Sequence, residues 1–134
     1  MTLLLDTHTL LWLTEQATKL GKAARRSCDA ALAADELAVP TVAFFELGWA
    51  LKRGRVEGPS NIRAWRGRLL SLGLREIGLS AEIALRAMEL DDLHGDPLDR
   101  IIVATALAED AVLLTADRPL LAWVGKLRRQ DARR

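Results

Sequence analysis

The chain has 134 residues, half of them hydrophobic, which is enough to bury the core of one globular domain and excludes a disordered chain. Its formal net charge of +1 excludes a strongly basic coat for nucleic acid. The single cysteine, Cys28, cannot form an internal disulfide, which favours a reducing compartment. We therefore expect one domain over residues 1–134, located in the cytoplasm.

Charge is unevenly distributed along the chain. Residues 52–68 hold six basic side chains and one acidic one, whereas residues 76–110 hold nine acidic side chains and two arginines. A solvated surface accounts for most of this pattern, but an acidic centre beside a basic flank also suits a site that holds cations and receives a polyanion. The first apolar run, Leu3–Leu5, is too short for a secretory signal, and no stretch approaches a transmembrane span. We therefore expect no membrane association.

Short apolar runs alternate with helical patterns from the start of the chain. The first run, Leu3–Leu5, predicts a strand that is buried on both faces and ends at Asp6. The other expected strands are Leu37–Val39, Leu74–Leu79 and Val112–Leu114. The expected helices are Thr7–Thr14, Gly21–Asp35, Val42–Lys52 between a Thr41 cap and a Gly54 stop, Asn61–Leu72, and Ser80 to about Leu93. This order predicts a parallel sheet covered by helices on both faces.

The segment His94–Ala106 predicts the central helix of the domain. Asp96 is expected at its N-cap, because the following Pro97 suits the first helical position, and Asp99 then lies one turn inside. The residues that follow are too continuously apolar for a surface helix. Both aspartates also suit the positive end of a helix dipole without further function, so this segment alone leaves two interpretations open.

Carboxylates are expected to converge at one edge of the sheet, because ligands of parallel sheets bind outside the carboxyl ends of the strands. Asp6 and Asp117 follow the first and fourth expected strands. Asp96 and Asp99 start the helix that leads to the fourth strand, and Glu46 lies in the helix after the second. Glu46 is flanked by two phenylalanines and a leucine, with no basic residue one turn away, so it must be paired, neutral or metal-bound.

Several carboxylates at one edge repel each other unless a hard cation neutralises them. Oxygen ligation with open water positions suits magnesium or manganese, whereas His8, His94 and Cys28 lack the spacing of a zinc site. Such a metal supports phosphoryl chemistry, because it lowers the pKa of a bound water, orients that water and neutralises the leaving oxygen. We expect His94 to support a ligated carboxylate as an outer hydrogen-bond donor.

The chain contains four motifs between Leu3 and about Leu121: LLLDTHTLLWL, FFELGWALKRG, LHGDPLDRIIVATA and VLLTAD. Together they resemble PIN-domain ribonucleases of the VapC toxin type. The resemblance implies a three-layer α/β/α sandwich around a mainly parallel sheet of four to five strands; the segment beyond Val124 matches less well, so a fifth strand there stays open. It also implies a magnesium-dependent endoribonuclease that hydrolyses RNA with a metal-activated water, with manganese as the alternative ion. The implied partners are RNA, a cognate antitoxin and a second copy of the chain, in a homodimer that joins the antitoxin.

The resemblance also assigns roles to individual residues. The family's acidic positions, which imply catalysis and metal binding, fall on Asp6, Glu46, Asp99 and Asp117. Asp96 is implied as a further metal ligand, and Thr7 and Thr115 match supporting hydroxyl positions, with His94 expected beside them. Our candidates for holding RNA are the basic residues Lys52, Arg53, Arg55 and Arg100.

Three other classes of protein share parts of this pattern. A haloacid-dehalogenase-like phosphatase needs a second aspartate two residues after the first, where this chain has His8. A receiver domain needs a phosphoacceptor aspartate at the end of the third strand, where this chain has Ile77, Gly78 and Leu79. Both fit poorly. A catalytically silent PIN module that acts only by binding a partner would carry the same motifs, so this alternative stays open.

Overall fold

The computed structural model describes residues 1–134 and contains five strands and seven helices. The strands are β1 (Leu3–Leu5), β2 (Leu37–Pro40), β3 (Arg75–Ile77), β4 (Val112–Thr115) and β5 (Arg129–Asp131). The helices are α1 (Thr7–Thr14), α2 (Lys22–Ala33), α3 (Thr41–Lys52), α4 (Ile62–Ser71), α5 (Ala81–Glu89), α6 (Pro97–Ala108) and α7 (Arg118–Ala122). None of the helices combines the length and the hydropathy that a bilayer crossing requires.

The five strands form one sheet in the order β3-β2-β1-β4-β5, and every neighbouring pair is parallel. The central strand is β1, where Leu3 pairs with Leu37 on one side and with Val112 on the other. Following the chain, β2 and β3 are added on one side of β1, and β4 and β5 are then added on its other side. The strand order therefore reverses between β1 and β4, and this reversal leaves a crevice at the carboxyl ends of these two strands.

Helices cover both faces of the sheet and give three layers. Leu3 and Leu5 of β1 belong to the larger core cluster, together with buried side chains of α1, α2, α3 and α4. Leu4 belongs to a second cluster, with Ile102 and Val103 of α6 and Leu120 of α7. Because successive side chains of a strand point to opposite faces, a strand covered on both sides is an uninterrupted apolar run. The expected α/β/α sandwich with a parallel sheet is confirmed.

Several element boundaries differ from the expectations. Thr41 is the first residue of α3 and not its cap, and its hydroxyl donates to the Glu76 carboxylate 2.7 Å away. The expected third strand is shorter in the structure, and α5 ends at Glu89, well before Leu93, because Leu90 has an extended backbone. The fifth strand, β5, does form. Its polar sequence gave no signal, because an edge strand with one neighbour needs no apolar run.

The side chain of Arg100 fastens the end of α5 to α6. Its guanidinium N–H groups donate to the main-chain carbonyls of Ala87, Met88, Leu90, Leu93 and His94. The donor–acceptor distances run from 2.7 to 3.4 Å. An arginine has five such N–H groups, so none remains to bind a phosphate. This arrangement corrects the expectation that Arg100 holds RNA.

Replacing Arg100 with lysine keeps the charge but removes the planar set of donors. We expect Arg100→Lys to lower the free energy of unfolding by about 2 kcal/mol, because part-buried carbonyls lose their partners. The matched control is Arg86→Lys, since Arg86 only faces the exposed Glu82 at 3.9 Å and its replacement should change stability by less than about 0.5 kcal/mol. Urea denaturation followed by circular dichroism measures both. Equal losses in the two variants would contradict the fastening role.

Candidate active site

An open cavity of about 350 Å³ lies where the strand order reverses, at the carboxyl ends of β1 and β4. The carboxylates that line it are Asp6, Glu46, Asp96, Asp99 and Asp117. The other lining residues are Thr7, His8, Trp12, Ala116 and Arg133. The structure therefore brings together all the carboxylates that the sequence placed at this edge of the sheet.

The buried carboxylate of Asp6 joins three elements of the fold. Its Oδ1 accepts a hydrogen bond from the backbone N–H of Thr9 at 3.0 Å, which makes Asp6 the N-cap of α1. Its Oδ2 accepts a short hydrogen bond from the hydroxyl of Thr115, at the end of β4. The same hydroxyl accepts from the backbone N–H of Asp117 at 3.0 Å. Thr115 therefore lies where a hydroxyl supports two of the acidic residues.

Glu46 reaches the cavity from α3, and its Oε1 accepts a hydrogen bond from the hydroxyl of Thr7. The two phenylalanines beside it in sequence do not surround it, since Phe44 is buried in the core and Phe45 is 62% exposed. The apolar neighbours in sequence are therefore not what buries Glu46, although its carboxyl does have a partner in Thr7. Partial burial still raises the pKa of Glu46; the Thr7 hydrogen bond opposes this and the charge of Asp96 adds to it.

Asp96 and Asp99 occupy the first turn of α6. Asp96 is the N-cap, as predicted, and its Oδ1 accepts from two backbone N–H groups of that turn at 3.0 and 3.4 Å. Oxygen atoms of Glu46, Asp96 and Asp99 lie within 4.8 Å of one another. Ligand atoms of His94, Asp99 and Asp117 lie equally close together. Asp99 belongs to both groups and is therefore central to the site.

The crowding of the carboxylates changes the pKa of Asp99. Burial, and after it the charges of Asp96, Asp117 and Glu46, raise the pKa of Asp99 to about 7. A carboxyl whose pKa is raised in this way lies in a strongly negative potential, which a bound cation would relieve. Perturbed carboxyl groups of this kind are typical of functional sites.

His94 lies behind Asp99, with its Nε2 3.5 Å from the Oδ2 of that residue. Its Nδ1 accepts from the backbone N–H of Asp96 at 3.3 Å. Because Nδ1 is the acceptor, a neutral ring carries its proton on Nε2 and presents it to Asp99. His94 is therefore placed to orient a carboxylate.

Besides Ala116, three residues that the sequence did not assign to the site line the cavity. His8 and Trp12 lie four residues apart on α1 and so share a face of that helix, a spacing that was readable in the sequence. Arg133 reaches the cavity from the segment after β5, and its guanidinium donates to the carbonyl of Ala116. No sequence signal could place Arg133 there, because its position depends on the pairing of a polar edge strand.

The remaining basic candidates lie outside the acidic cavity. Lys52, Arg53 and Arg55 are exposed around the end of α3. The guanidinium of Arg53 lies 5.7 Å from the centroid of the Trp49 ring, so it is partly held on the helix surface. We call these three exposed side chains at the end of α3 the basic rim.

The donor set of the cavity fits a hard divalent cation. None of its carboxylates forms an ion pair with a lysine or an arginine, so the negative charge of the site is not neutralised within the chain. Cys28 is buried in the core, and the nitrogen ligands near the acids are His94, which groups with Asp99 and Asp117, and His8 in the cavity wall. Oxygen donors of this kind favour magnesium or manganese over zinc.

The chain matches a family model described as PIN domain over residues 3–122. It belongs to the PIN-domain family. This PIN domain is 34% identical over 120 residues to Ribonuclease VapC22 of Mycobacterium tuberculosis, with 89% of each chain covered. The identity and coverage make it a VapC-type member of the family, as the four motifs indicated.

Solved structures share the fold of this PIN domain at low sequence identity. One is VapBC2 from Rickettsia felis bound to a DNA fragment from its promoter, with a TM-score of 0.69 at 19% identity. The match covers 97% of this chain and 98% of the Rickettsia chain. A toxin–antitoxin complex from Klebsiella pneumoniae gives a TM-score of 0.62 at 23% identity and covers 94% and 95%. These similarities show that the PIN fold extends over nearly the whole chain.

The raised pKa of Asp99 predicts a pH-dependent stability in the absence of metal. A carboxyl whose pKa rises from about 3.9 in the unfolded chain stabilises the fold at low pH, and this contribution is lost as pH rises through the folded value of about 7. Asp99→Asn removes the charge. Its Tm in EDTA should therefore approach that of the wild type below about pH 4 and exceed it by a margin that grows up to about pH 7 and then stays constant.

The control for this experiment is Asp29→Asn, which removes an exposed carboxylate of α2 outside the cavity. Differential scanning fluorimetry across the pH range measures all three chains. Magnesium should raise the wild-type Tm more at the higher pH, because protons compete with the metal for Asp99. Parallel curves for the wild type and Asp99→Asn would show that Asp99 is not under electrostatic strain.

Proposed function

We propose that this chain is a divalent-metal-dependent endoribonuclease that acts as the toxin of a toxin–antitoxin pair. The observation that carries the proposal is the convergence of unneutralised carboxylates on one cavity at the reversal of the strand order. The relative with the highest identity reported above is named as a ribonuclease, and this supports RNA as the substrate class. Phosphodiester hydrolysis with a metal-activated water does not itself require the 2′-hydroxyl, so the choice of RNA over DNA rests on that relationship.

In this proposal Glu46, Asp96 and Asp99 hold the cation, with magnesium as the expected ion and manganese as the alternative. Asp117 adds a ligand on the other side of Asp99, and Asp6 supplies negative charge at the buried end of the cavity. When bound, the cation supplies the acidity that makes water a nucleophile at neutral pH and the charge that offsets the leaving oxygen.

The surrounding residues position these carboxylates before any ligand arrives. The hydroxyl of Thr7 holds Glu46, and the hydroxyl of Thr115 holds Asp6. His94 directs a proton toward Asp99, which keeps that carboxylate oriented while it shares its charge with a metal. Carboxylates fixed in this way need little reorganisation during the reaction, which is a main source of electrostatic catalysis.

The RNA strand is held, in this proposal, by Lys52, Arg53 and Arg55 on the rim at the end of α3. Arg133 replaces Arg100 as the arginine that meets the substrate, because it lies in the wall of the acidic cavity. A positive charge there would reduce the repulsion between an entering phosphate and the carboxylates.

The partners and setting belong to the same proposal. A structure with this fold is described as a toxin–antitoxin complex, which supports an antitoxin as the partner of this chain. We expect a basic residue of the antitoxin to enter the cavity, because a cation there offsets the carboxylates as a metal would. A homodimer that joins the antitoxin, a single domain over residues 1–134 and a cytoplasmic location remain predictions.

The nuclease proposal predicts a strict metal requirement. The purified chain should cleave single-stranded RNA in magnesium or manganese and should not cleave it in excess EDTA. Asp99→Asn and Glu46→Gln should each reduce cleavage about a hundredfold or more, because a neutral amide is a poor ligand for a hard cation. Asp29→Asn is the control that should keep wild-type activity.

Gel analysis of labelled RNA, with circular dichroism to confirm folding, measures these rates. Cleavage that persists in excess EDTA would refute the metal requirement. A folded wild-type chain that binds magnesium and antitoxin but cuts no RNA would instead favour the catalytically silent PIN module.

The basic rim predicts a particular salt dependence of RNA binding. Each phosphate contact contributes about 0.7 to the slope of log affinity against log salt concentration for a single strand. Replacing Arg53 and Arg55 with glutamine should therefore flatten the slope by about 1.4. The control makes the same replacement at Lys126 and Arg128, which lie beside Ala111 at the opposite end of β4. Fluorescence anisotropy gives the slopes, and an unchanged slope in the Arg53/Arg55 variant would remove these residues from the RNA contact.

A further inference from the structure

A second cavity lies directly beside the acidic one, and nothing in the proposed reaction uses it. Its volume is about 490 Å³. The two cavities share His8 and Trp12, so they adjoin at these two side chains. Beyond Trp12 the second cavity is lined by Lys19, Arg55 and Val56, among others. We call this second cavity the tryptophan groove.

Trp12 gives the groove an aromatic wall at its junction with the acidic cavity. The side chain is partly buried and packs against the larger core cluster, which fixes the ring. The Nζ atom of the exposed Lys19 lies over the face of the ring, 5.8 Å from its centroid, in a cation–π contact. An immobile aromatic ring beside cationic side chains is the combination with which proteins stack the bases of single strands and hold their phosphates.

We propose that the tryptophan groove binds one unpaired nucleobase of the RNA, next to the phosphate that enters the acidic cavity. The inference rests on the proposed nuclease function, because that function brings an RNA strand to the shared residues. The base takes the place of the exposed Lys19 ammonium over the Trp12 ring, and the displaced Lys19 and Arg55 contact the adjoining phosphates. Bases in a duplex are already stacked, so this site selects single-stranded RNA.

The composition of the groove favours a base over a purely electrostatic contact. Glu15 and Glu57 also line it, so its positive charge is largely balanced and would bind a phosphate chain weakly by itself. The volume lies within the range of cavities that enclose small organic molecules. Stacking on Trp12 would therefore supply most of the affinity, and the strength of binding would depend on whether a base is present.

The first test measures binding of a short single-stranded RNA in EDTA at low salt, where the proposed function predicts no cleavage. Trp12→Leu keeps an apolar contact with the core but removes the stacking surface, and Trp12→Phe retains part of it. We expect the Kd to rise about fivefold or more for Trp12→Leu and less for Trp12→Phe. Thermal melting of each variant confirms that it is folded.

The second test removes single bases from the RNA. A set of RNAs with one abasic nucleotide at successive positions is bound to the wild type and to Trp12→Leu. At one position, the loss of the base should weaken RNA binding by the wild type but not by Trp12→Leu, because the effects of two groups in contact are not additive. Additive effects at every position, or a Trp12→Leu variant that binds as the wild type does, would overturn the proposal.

The NMR signal of Trp12 tests the proposal in the wild-type chain, without a variant and without a measurement of cleavage. In the wild-type chain labelled with 15N, the indole N–H signal of Trp12 should shift on addition of the RNA, and should shift less with the RNA that is abasic at the coupled position. A signal that moves only with a basic peptide would identify a protein side chain as the occupant and refute the base site. If the Trp12 signal shifts in a base-dependent way but the chain does not cleave RNA in magnesium, the nuclease function is rejected and the base site is kept. If the chain cleaves RNA but the Trp12 variant and the abasic RNAs show no coupling, the base site is rejected and the nuclease function is kept.

Discussion

Hydrogen bonds from the backbone and from two hydroxyl groups hold the carboxylates of this site together against their mutual repulsion. Asp6 accepts from the Thr9 amide and the Thr115 hydroxyl, and Asp117 accepts from the Leu120 amide at 3.0 Å. These donors lie on α1, β4 and α7, so moving the elements apart breaks hydrogen bonds to the carboxylates. The fold itself therefore maintains the geometry of the cavity.

Helix capping and site formation are carried out by the same residues. Asp6, Asp96 and Asp117 are the N-caps of α1, α6 and α7, so the positive ends of helix dipoles point toward the cavity and partly offset its charge. Glu46 and Asp99 cap no helix, and their pKa values are raised by burial and by their acidic neighbours. Asp6, Asp96 and Asp117 therefore each have a capping role, whereas Glu46 lies inside α3 and Asp99 makes no capping hydrogen bond although it lies in the first turn of α6.

Much of the fold was predictable because its signals are local. The apolar run of β1, the Asp96–Pro97 helix start and Gly54, whose φ of +68° ends α3, each follow from the residues at that position. The order of strands also placed the acids at one edge. The positions of β5, Arg133 and the Arg100 side chain were not predictable, because each depends on partners distant in sequence. Flanking residues were misleading for Glu46, since neighbours on a helix point to different sides.

The contact made by Arg100 has a consequence for how freely this sequence can diverge. The acceptors that it binds on and after α5 are all main-chain carbonyls, which every amino acid provides. The outer face of α5, with its exposed Leu85 and Met88, can therefore exchange side chains without loosening the first turn of α6, where Asp99 lies. Substitutions on this outer face leave the contact in place as long as the helix ends at the same residue, whereas Ile83 and Ala87 on the inner face pack against Ala104 of α6. One surface of the molecule can therefore change while the acidic centre stays as it is.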